Sequence, residues 1–334
     1  MTKTILPRPL ALSMFALVGA AVPATGQQGL FTGGPAPMEI RTISEPAAVQ
    51  RGDSTFVIYE IEIANPTSAT FVVESLEVSG PTGRQVRRYE GDGWGVIVRR
   101  IPDQSYVTEE DFQGGIDMMP GARVLLYLWM DLEGARSAPA ALSHRFTVRW
   151  TADDEVERHV QPGPVLDVHR DPIVIDAPVR GGFWRVNNGY ASVTDHRRFF
   201  IARGQLFIPQ RFGADYVKLA PDGLNAREGE LVNEIFHAFG EPLYAVAAGR
   251  VVSVVDHLPD IPPGSSATGL AFEEMPGNHV ILELAEGVYA AYVHLSGGDI
   301  SVRPGQRVAR GDRIASIGNS GNTSSPHLHF QLMD

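Results

Sequence analysis

The chain has 334 residues, enough for two domains, and 43% of them are hydrophobic, enough for a sizeable core. A formal net charge of -11, with Lys3 and Lys218 as the only lysines, argues against a general nucleic-acid binder, whose surface must be basic. There is no cysteine, so disulfides and thiolate metal sites are excluded. Charged residues make up only 20%, while 35 glycines and 24 prolines point to short strands and many turns rather than long helices.

In chain order, residues 1–26 have the layout of a cleaved secretory signal. Lys3 and Arg8 give a positive start, Leu10 to Val22 an apolar run too short to span a bilayer, and Ala24-Thr25-Gly26 a small-residue cleavage site. A periplasmic or secreted protein is expected, with no integral membrane segment after cleavage. Residues 30–170 alternate as strands do. Phe56 to Ile63, Val72 to Val78, Val124 to Trp129 and His144 to Trp150 are rich in β-branched and aromatic residues. Asn65-Pro66, Gly80-Pro81-Thr82-Gly83 and Pro120-Gly121 separate them as turns. This spacing predicts an immunoglobulin-like β-sandwich serving as a spacer or binding module. Residues 171–182 read as a Pro/Gly-bearing linker, and residues 183–334 as a second β-rich unit, so the fold class is all-β. The stretch Pro259 to Gly264 reads as an exposed loop between two strands.

Chemistry concentrates near the end. In Pro326-His327-Leu328-His329-Phe330, strand alternation puts His327 and His329 on one face and Leu328 and Phe330 on the other. Two imidazoles on one face suit metal binding and proton transfer. Around them stand Tyr292-Val293-His294-Leu295, the run Val302 to Asp312 with Arg303-Pro304-Gly305, and Asn319-Ser320-Gly321-Asn322-Thr323. Upstream lies Val246-Ala247-Ala248-Gly249-Arg250-Val251-Val252.

Together these segments resemble the lysostaphin-type, LytM-type peptidoglycan endopeptidases over about residues 205–334. The resemblance implies a small antiparallel β fold, of the duplicated hybrid-motif kind, whose groove holds one zinc ion. It implies that His329 is a zinc ligand and that His294 and His327 flank the reacting water and the scissile carbonyl. The family's first motif is His-x-x-x-Asp, and the matching stretch is Gln210-Arg211-Phe212-Gly213-Ala214-Asp215. Asp215 fits the carboxylate ligand, while Arg211 stands where the family has histidine. Gln210, through its amide oxygen, or His237 is then the candidate for the third ligand, since a catalytic zinc normally has three protein ligands. Asn233 is a further candidate to line the cleft. His257 reads as solvated and His279 as a surface residue at a strand start, while His144, His159, His169 and His196 match no motif.

The expected function is an exported zinc metalloendopeptidase acting on peptidoglycan or another peptide. The alternative is a metal-poor relative that binds wall peptides or activates another hydrolase. The segment Val302 to Gly318 also resembles a biotinyl or lipoyl carrier, but a carrier needs an attachment lysine, and none follows Lys218. The chain stops five residues after His329, an abrupt end that suggests further sequence beyond Asp334.

Overall fold

The structure is a computed structural model that describes residues 38–51, 54–94, 98–103, 114–132, 137–152, 155–170, 173–189, 195–202, 204–265 and 269–334. The segment read as a signal lies outside the described residues. Among the described residues, no helix is long and apolar enough to cross a membrane.

The N-terminal part forms β1 (Glu39–Arg51), β2 (Ser54–Ala64), β3 (Phe71–Ser79), β4 (Gln85–Glu90), β5 (Val98–Ile101), β6 (Ile116–Met118), β7 (Arg123–Asp131), β8 (Ala141–Ala152) and β9 (Glu155–Asp167). They pair antiparallel into one sheet of order β1-β2-β7-β5 and a second of order β4-β3-β8-β9, with β6 also on β3. Alternate residues of both sheets enclose one core: Val124, Leu126, Leu128 and Met130 of β7 meet Leu76 of β3 and Phe146 of β8. Each such side chain contributes about 1.5–3 kcal/mol by leaving water. Two polar groups in this unit satisfy each other: the Tyr59 hydroxyl lies 2.7 Å from His144 Nε2, and His144 Nδ1 lies 2.7 Å from the Pro164 carbonyl.

Further along come β10 (Phe183–Asn187) and the hairpin of β11 (Phe200–Ala202) and β12 (Gln205–Phe207). The described chain divides into two compact units near Ile173, and the segment Phe199–Phe207, with its hairpin, groups with the first. The second unit adds β13 (Ala214–Leu219), β14 (Pro242–Tyr244), β15 (Gly249–Val255), β16 (Asn278–Ala285), β17 (Val288–Leu295), β18 (Arg307–Val308), β19 (Arg313–Ser316) and β20 (Leu328–Met333). Seven strands make an antiparallel sheet of order β10-β13-β20-β17-β16-β15-β18, and β14 pairs with β19. One face of the large sheet carries the core, with Val280, Leu282, Tyr292, Leu328 and Phe330.

One segment differs from the sequence-based expectation, and a second is more firmly held than its sequence shows. Residues 174–182 are not a free linker. The Asp176 N–H donates to the Val246 carbonyl at 2.8 Å, the Tyr244 N–H donates to Pro178 at 2.9 Å, and Val179 is buried in the second core. The Pro259–Gly264 stretch is, as expected, a loop between two strands with Pro259, Pro262 and Gly264 exposed, and it is latched to the segment ahead of His327. The Ile261 N–H donates to Asn319 and the Gly264 N–H to Ser324, and Pro263 is buried. Backbone groups that leave water need such partners, and here the segment ahead of His327 supplies them.

Candidate metal centre

The face of the large sheet opposite its core carries a row of paired residues: Asn187 of β10, Asp215 of β13, His329 of β20, Val293 of β17 and His279 of β16. Strand alternation places them there, because the flanking Leu328 and Phe330 point into the core. Asp215 is the centre of the row's polar end. Its Oδ1 lies 3.0 Å from His329 Nδ1 and 3.6 Å from His327 Nε2. Its Oδ2 lies 3.3 Å from His196 Nε2 and accepts the Asn188 side-chain amide at 2.8 Å. His196 comes from a single 3-10 turn, Asp195–Arg197, and its ring meets that of His329 edge-on, with centroids 4.7 Å apart. One ligand-capable atom from each of His196, Asp215 and His329 lies within 4.8 Å of the others.

His294 reaches the cluster by an irregularity. Asn278 pairs with Leu295 and His279 with Val293, so His294 is an extra residue in β17. It adopts φ 64°, the left-handed region that side chains rarely take. Regular alternation would send it toward the core with Tyr292; the bulge instead brings its ring to 5.0 Å from His327 and 6.1 Å from His329.

Burial and charge set the protonation states. Burial by itself raises the Asp215 carboxyl, but hydrogen bonds from His196 and His329 and the nearby His327 outweigh it and hold the group well below the carboxylate range. Burial pushes His196 down, but its hydrogen bond to Asp215 and the carboxylate charge leave it raised. Burial lowers His294 far below its ordinary value, with His327 and His329 adding to the effect. His327 is also lowered by burial. His294 Nδ1 faces the Ser320 carbonyl at 2.9 Å, and His327 Nδ1 faces the Ser325 carbonyl at 2.8 Å. A carbonyl only accepts, so each Nδ1 carries the hydrogen and each neutral ring offers an unprotonated Nε2.

Four residues expected from the sequence therefore meet: Asp215, His294, His327 and His329. Gln210 enters the neighbourhood through its backbone, accepting the Gly213 N–H at 2.8 Å. Among the histidines and carboxylates of the described residues, His196 is the one grouped with Asp215 and His329, so it joins Gln210 as a candidate third ligand. His237 sits in a turn, its N–H donating to Asn225, and is not grouped with Asp215 and His329. Asn233 braces the segment ahead of His327, donating to the Ile261 carbonyl and accepting from the Asn319 amide. His257 is exposed as expected, whereas His279 is buried, its Nδ1 2.8 Å from the Gly277 carbonyl. His196 matched no motif. Its one sequence signal was elimination: it is the only histidine between His169 and Asp215.

Comparison with known proteins finds similarity in the last third of the chain. Residues 233–334 match the model of peptidase family M23, a span that holds His294, His327 and His329 and begins after His196 and Asp215. Peptidoglycan DD-endopeptidase ShyA of Vibrio cholerae serotype O1 is 33% identical over 94 residues, 28% of this chain and 18% of that protein. Cell division protein DipM of Caulobacter vibrioides is 26% identical over 125 residues, 37% of this chain and 16% of that protein. The chain thus spans less than a fifth of each of these curated relatives. Among solved structures, a zinc-containing peptidase from Vibrio cholerae covers 83% of this chain and 78% of its own at 17% identity and a TM-score of 0.31. Over residues 233–334, the chain is therefore similar to peptidase family M23.

Proposed function

We propose that the second unit is a zinc-dependent endopeptidase that cuts peptide cross-links of peptidoglycan. His196, Asp215 and His329 would hold the metal, and His294 and His327 would move protons. The observation that carries the reading is the convergence of two imidazoles and one carboxylate, from three separate segments, within 4.8 Å. Two nitrogens and one carboxylate oxygen are a donor set that zinc favours for catalysis, so the residues present fit the ion. With His196 in place the cluster has three ligands, which favours the enzyme over a metal-poor binding relative. The cell-wall substrate is supported by the relative named as a peptidoglycan DD-endopeptidase.

Zinc supplies Lewis acidity, polarising a peptide carbonyl and making water acidic enough to deprotonate near neutral pH. The chain's own residues do the rest. Asp215, held ionised by its neighbours, keeps the centre's positive charge low. His294 and His327 are neutral, and each Nδ1–H is tied to a backbone carbonyl. One Nε2 is thereby free to take a proton from the attacking water and later return it to the leaving amine. The other Nε2, also an acceptor, orients the attacking water by taking a hydrogen bond from it.

The immunoglobulin-like reading of the first unit is supported by its strand order: β1-β2-β7-β5 facing β4-β3-β8-β9 follows the arrangement in which strands A, B, E and D oppose C, F and G. Export through residues 1–26 rests on the charge and small-residue pattern of that segment, and a mature N-terminus near Gln27, read by mass spectrometry from the native host, tests it. The function itself is tested by metal analysis of the purified protein alongside digestion of cell-wall sacculi. One zinc per chain and release of cross-linked peptides are expected. A chain that takes up no zinc at micromolar concentration and cleaves nothing refutes the enzyme.

A further inference from the structure

Beyond the three candidate ligands, two carboxamide side chains, Gln331 and Asn188, touch the cluster. Gln331 lies two residues after His329 on the same face of β20 and is 8% exposed. Its Oε1 is 3.0 Å from His329 Nε2, and its Nε2 donates to the Pro209 carbonyl at 3.0 Å, with a weaker contact to Met333 Sδ at 3.5 Å. The Pro209 oxygen only accepts, so it fixes the nitrogen end of the amide. The oxygen end must then face His329, and His329 Nε2 must carry a hydrogen. The nitrogen left facing Asp215 is Nδ1, at 3.0 Å.

Asn188 performs the matching task on the other side of Asp215. It follows β10 in the left-handed region, φ 49°, a conformation asparagine tolerates. Its backbone carbonyl accepts His196 Nδ1–H at 3.0 Å, which leaves His196 Nε2 facing Asp215. Its side-chain amide donates to Asp215 Oδ2 at 2.8 Å, which orients the carboxylate. Both partners are neutral, so they fix ring and carboxylate directions without adding a second negative charge to the buried cluster.

We infer that Asn188 and Gln331 are the positioning residues of this centre, fixing His196 to bind a divalent ion through Nε2 and His329 through Nδ1. The inference rests on reading His196, Asp215 and His329 as metal ligands. Partners of this kind orient a ligand ring, and their loss typically weakens metal binding by about 10–100-fold.

Three variants of the full chain test it. Gln331→Met keeps an unbranched side chain of similar size and removes the amide. Gln331→Glu keeps an acceptor for His329 Nε2–H. Asn188→Gly keeps the carbonyl and the left-handed backbone and removes only the donor to Asp215. Zinc affinity is measured by competition with a chromophoric chelator. The hydrogen-bearing nitrogen of each histidine is read from long-range nitrogen–proton NMR spectra of the zinc-loaded, labelled protein. Gln331→Met and Asn188→Gly are expected to weaken zinc by about 10–100-fold, with Gln331→Glu returning toward wild type. The wild-type spectrum is expected to show hydrogen on His329 Nε2 and on His196 Nδ1, a signature that a merely structural role would not set. Wild-type affinity in Gln331→Met, or zinc on His329 Nε2, overturns the inference while leaving the ligands in place. A wild type that binds no zinc overturns the ligand assignment, and the inference with it.

Discussion

A single methyl group added at Gly213 tests whether the imidazoles are packed as described. Gly213 lies two residues before Asp215, in the turn that leads into β13. A Cβ there would sit 2.8 Å from His329 Cε1, 3.0 Å from His196 Nδ1 and 3.0 Å from the Gln210 carbonyl. Comfortable contacts are about 3.5–4.0 Å, so both rings would have to retreat by roughly 0.5–1 Å. Neither is free to do so: His329 is held between Asp215 and Gln331, and His196 between Asp215 and the Asn188 carbonyl. Gly213→Ala is therefore expected to cost about 1–3 kcal/mol of stability through overpacking. The larger effect falls on function, since a displacement of about 1 Å at a catalytic centre can cost about 100-fold in rate. Thermal melts, zinc competition and a peptide-cleavage assay measure the three consequences. Gly93→Ala, where a Cβ would meet nothing within 4 Å, is the control and should behave as wild type. Wild-type zinc affinity and activity in Gly213→Ala would refute the packing of His196 and His329 against this backbone.

Further expectations follow from the same geometry. His196→Ala or His329→Ala should abolish zinc uptake in metal analysis, whereas His294→Ala or His327→Ala should keep the zinc and stop cleavage. Because zinc binds the folded centre, saturating it to 100 times its Kd should add about 2.7 kcal/mol to the second unit, and dialysis against a chelator should reverse the gain in a thermal melt. Burial lowers the His144 pKa more than its hydrogen bond to Pro164 raises it, so the folded first unit favours the neutral ring and binds fewer protons than the unfolded chain. Its contribution is fully present above about pH 6.5 and is lost as pH falls from there through the folded value, so urea midpoints should drop between pH 7.5 and 5.5 and drop less in His144→Gln. Val179→Ala should destabilise the second unit by roughly 1.5 kcal/mol, from about 0.8 kcal/mol per buried methylene-sized group, and no loss in a denaturant titration would return residues 174–182 to the status of a linker.

The parts of the site that were legible in the sequence are those written in strand periodicity. His327 and His329 flank a leucine that must face the core, so their common side follows from alternation alone. Asp215 was legible through its family spacing, and the register that pairs it with His329 shows why the two belong together. His196 was not legible, because nineteen positions separate it from Asp215 and only the fold brings the Asp195–Arg197 turn back to the sheet. Nor was the latching of the Pro-rich stretch, which depends on partners in residues 319–324. In the first unit, alternation identified the strands but not the burial of Glu60 and Glu62 on the far side of β2. Those carboxylates are tolerated there because Ser44 Oγ donates to Glu60 at 2.5 Å and Arg123 Nε donates to Glu62 at 2.6 Å.

The bulge at His294 links strain to function most directly. A non-glycine residue in the left-handed region costs of order 1–3 kcal/mol and persists only where its surroundings over-determine it. Here they do. The His294 N–H donates to Pro276, its carbonyl accepts from Gly318, and its Nδ1–H donates to Ser320. Ser320 is itself pinned, its hydroxyl donating to the Leu295 carbonyl and accepting the Asn278 N–H. A glycine at position 294 would relieve the backbone at once, and a regular strand would remove the bulge altogether. Either change would take the imidazole away from His327 and His329. The fold keeps the costlier backbone, and what that backbone secures is a neutral, buried imidazole turned out of the strand's own alternation toward the centre.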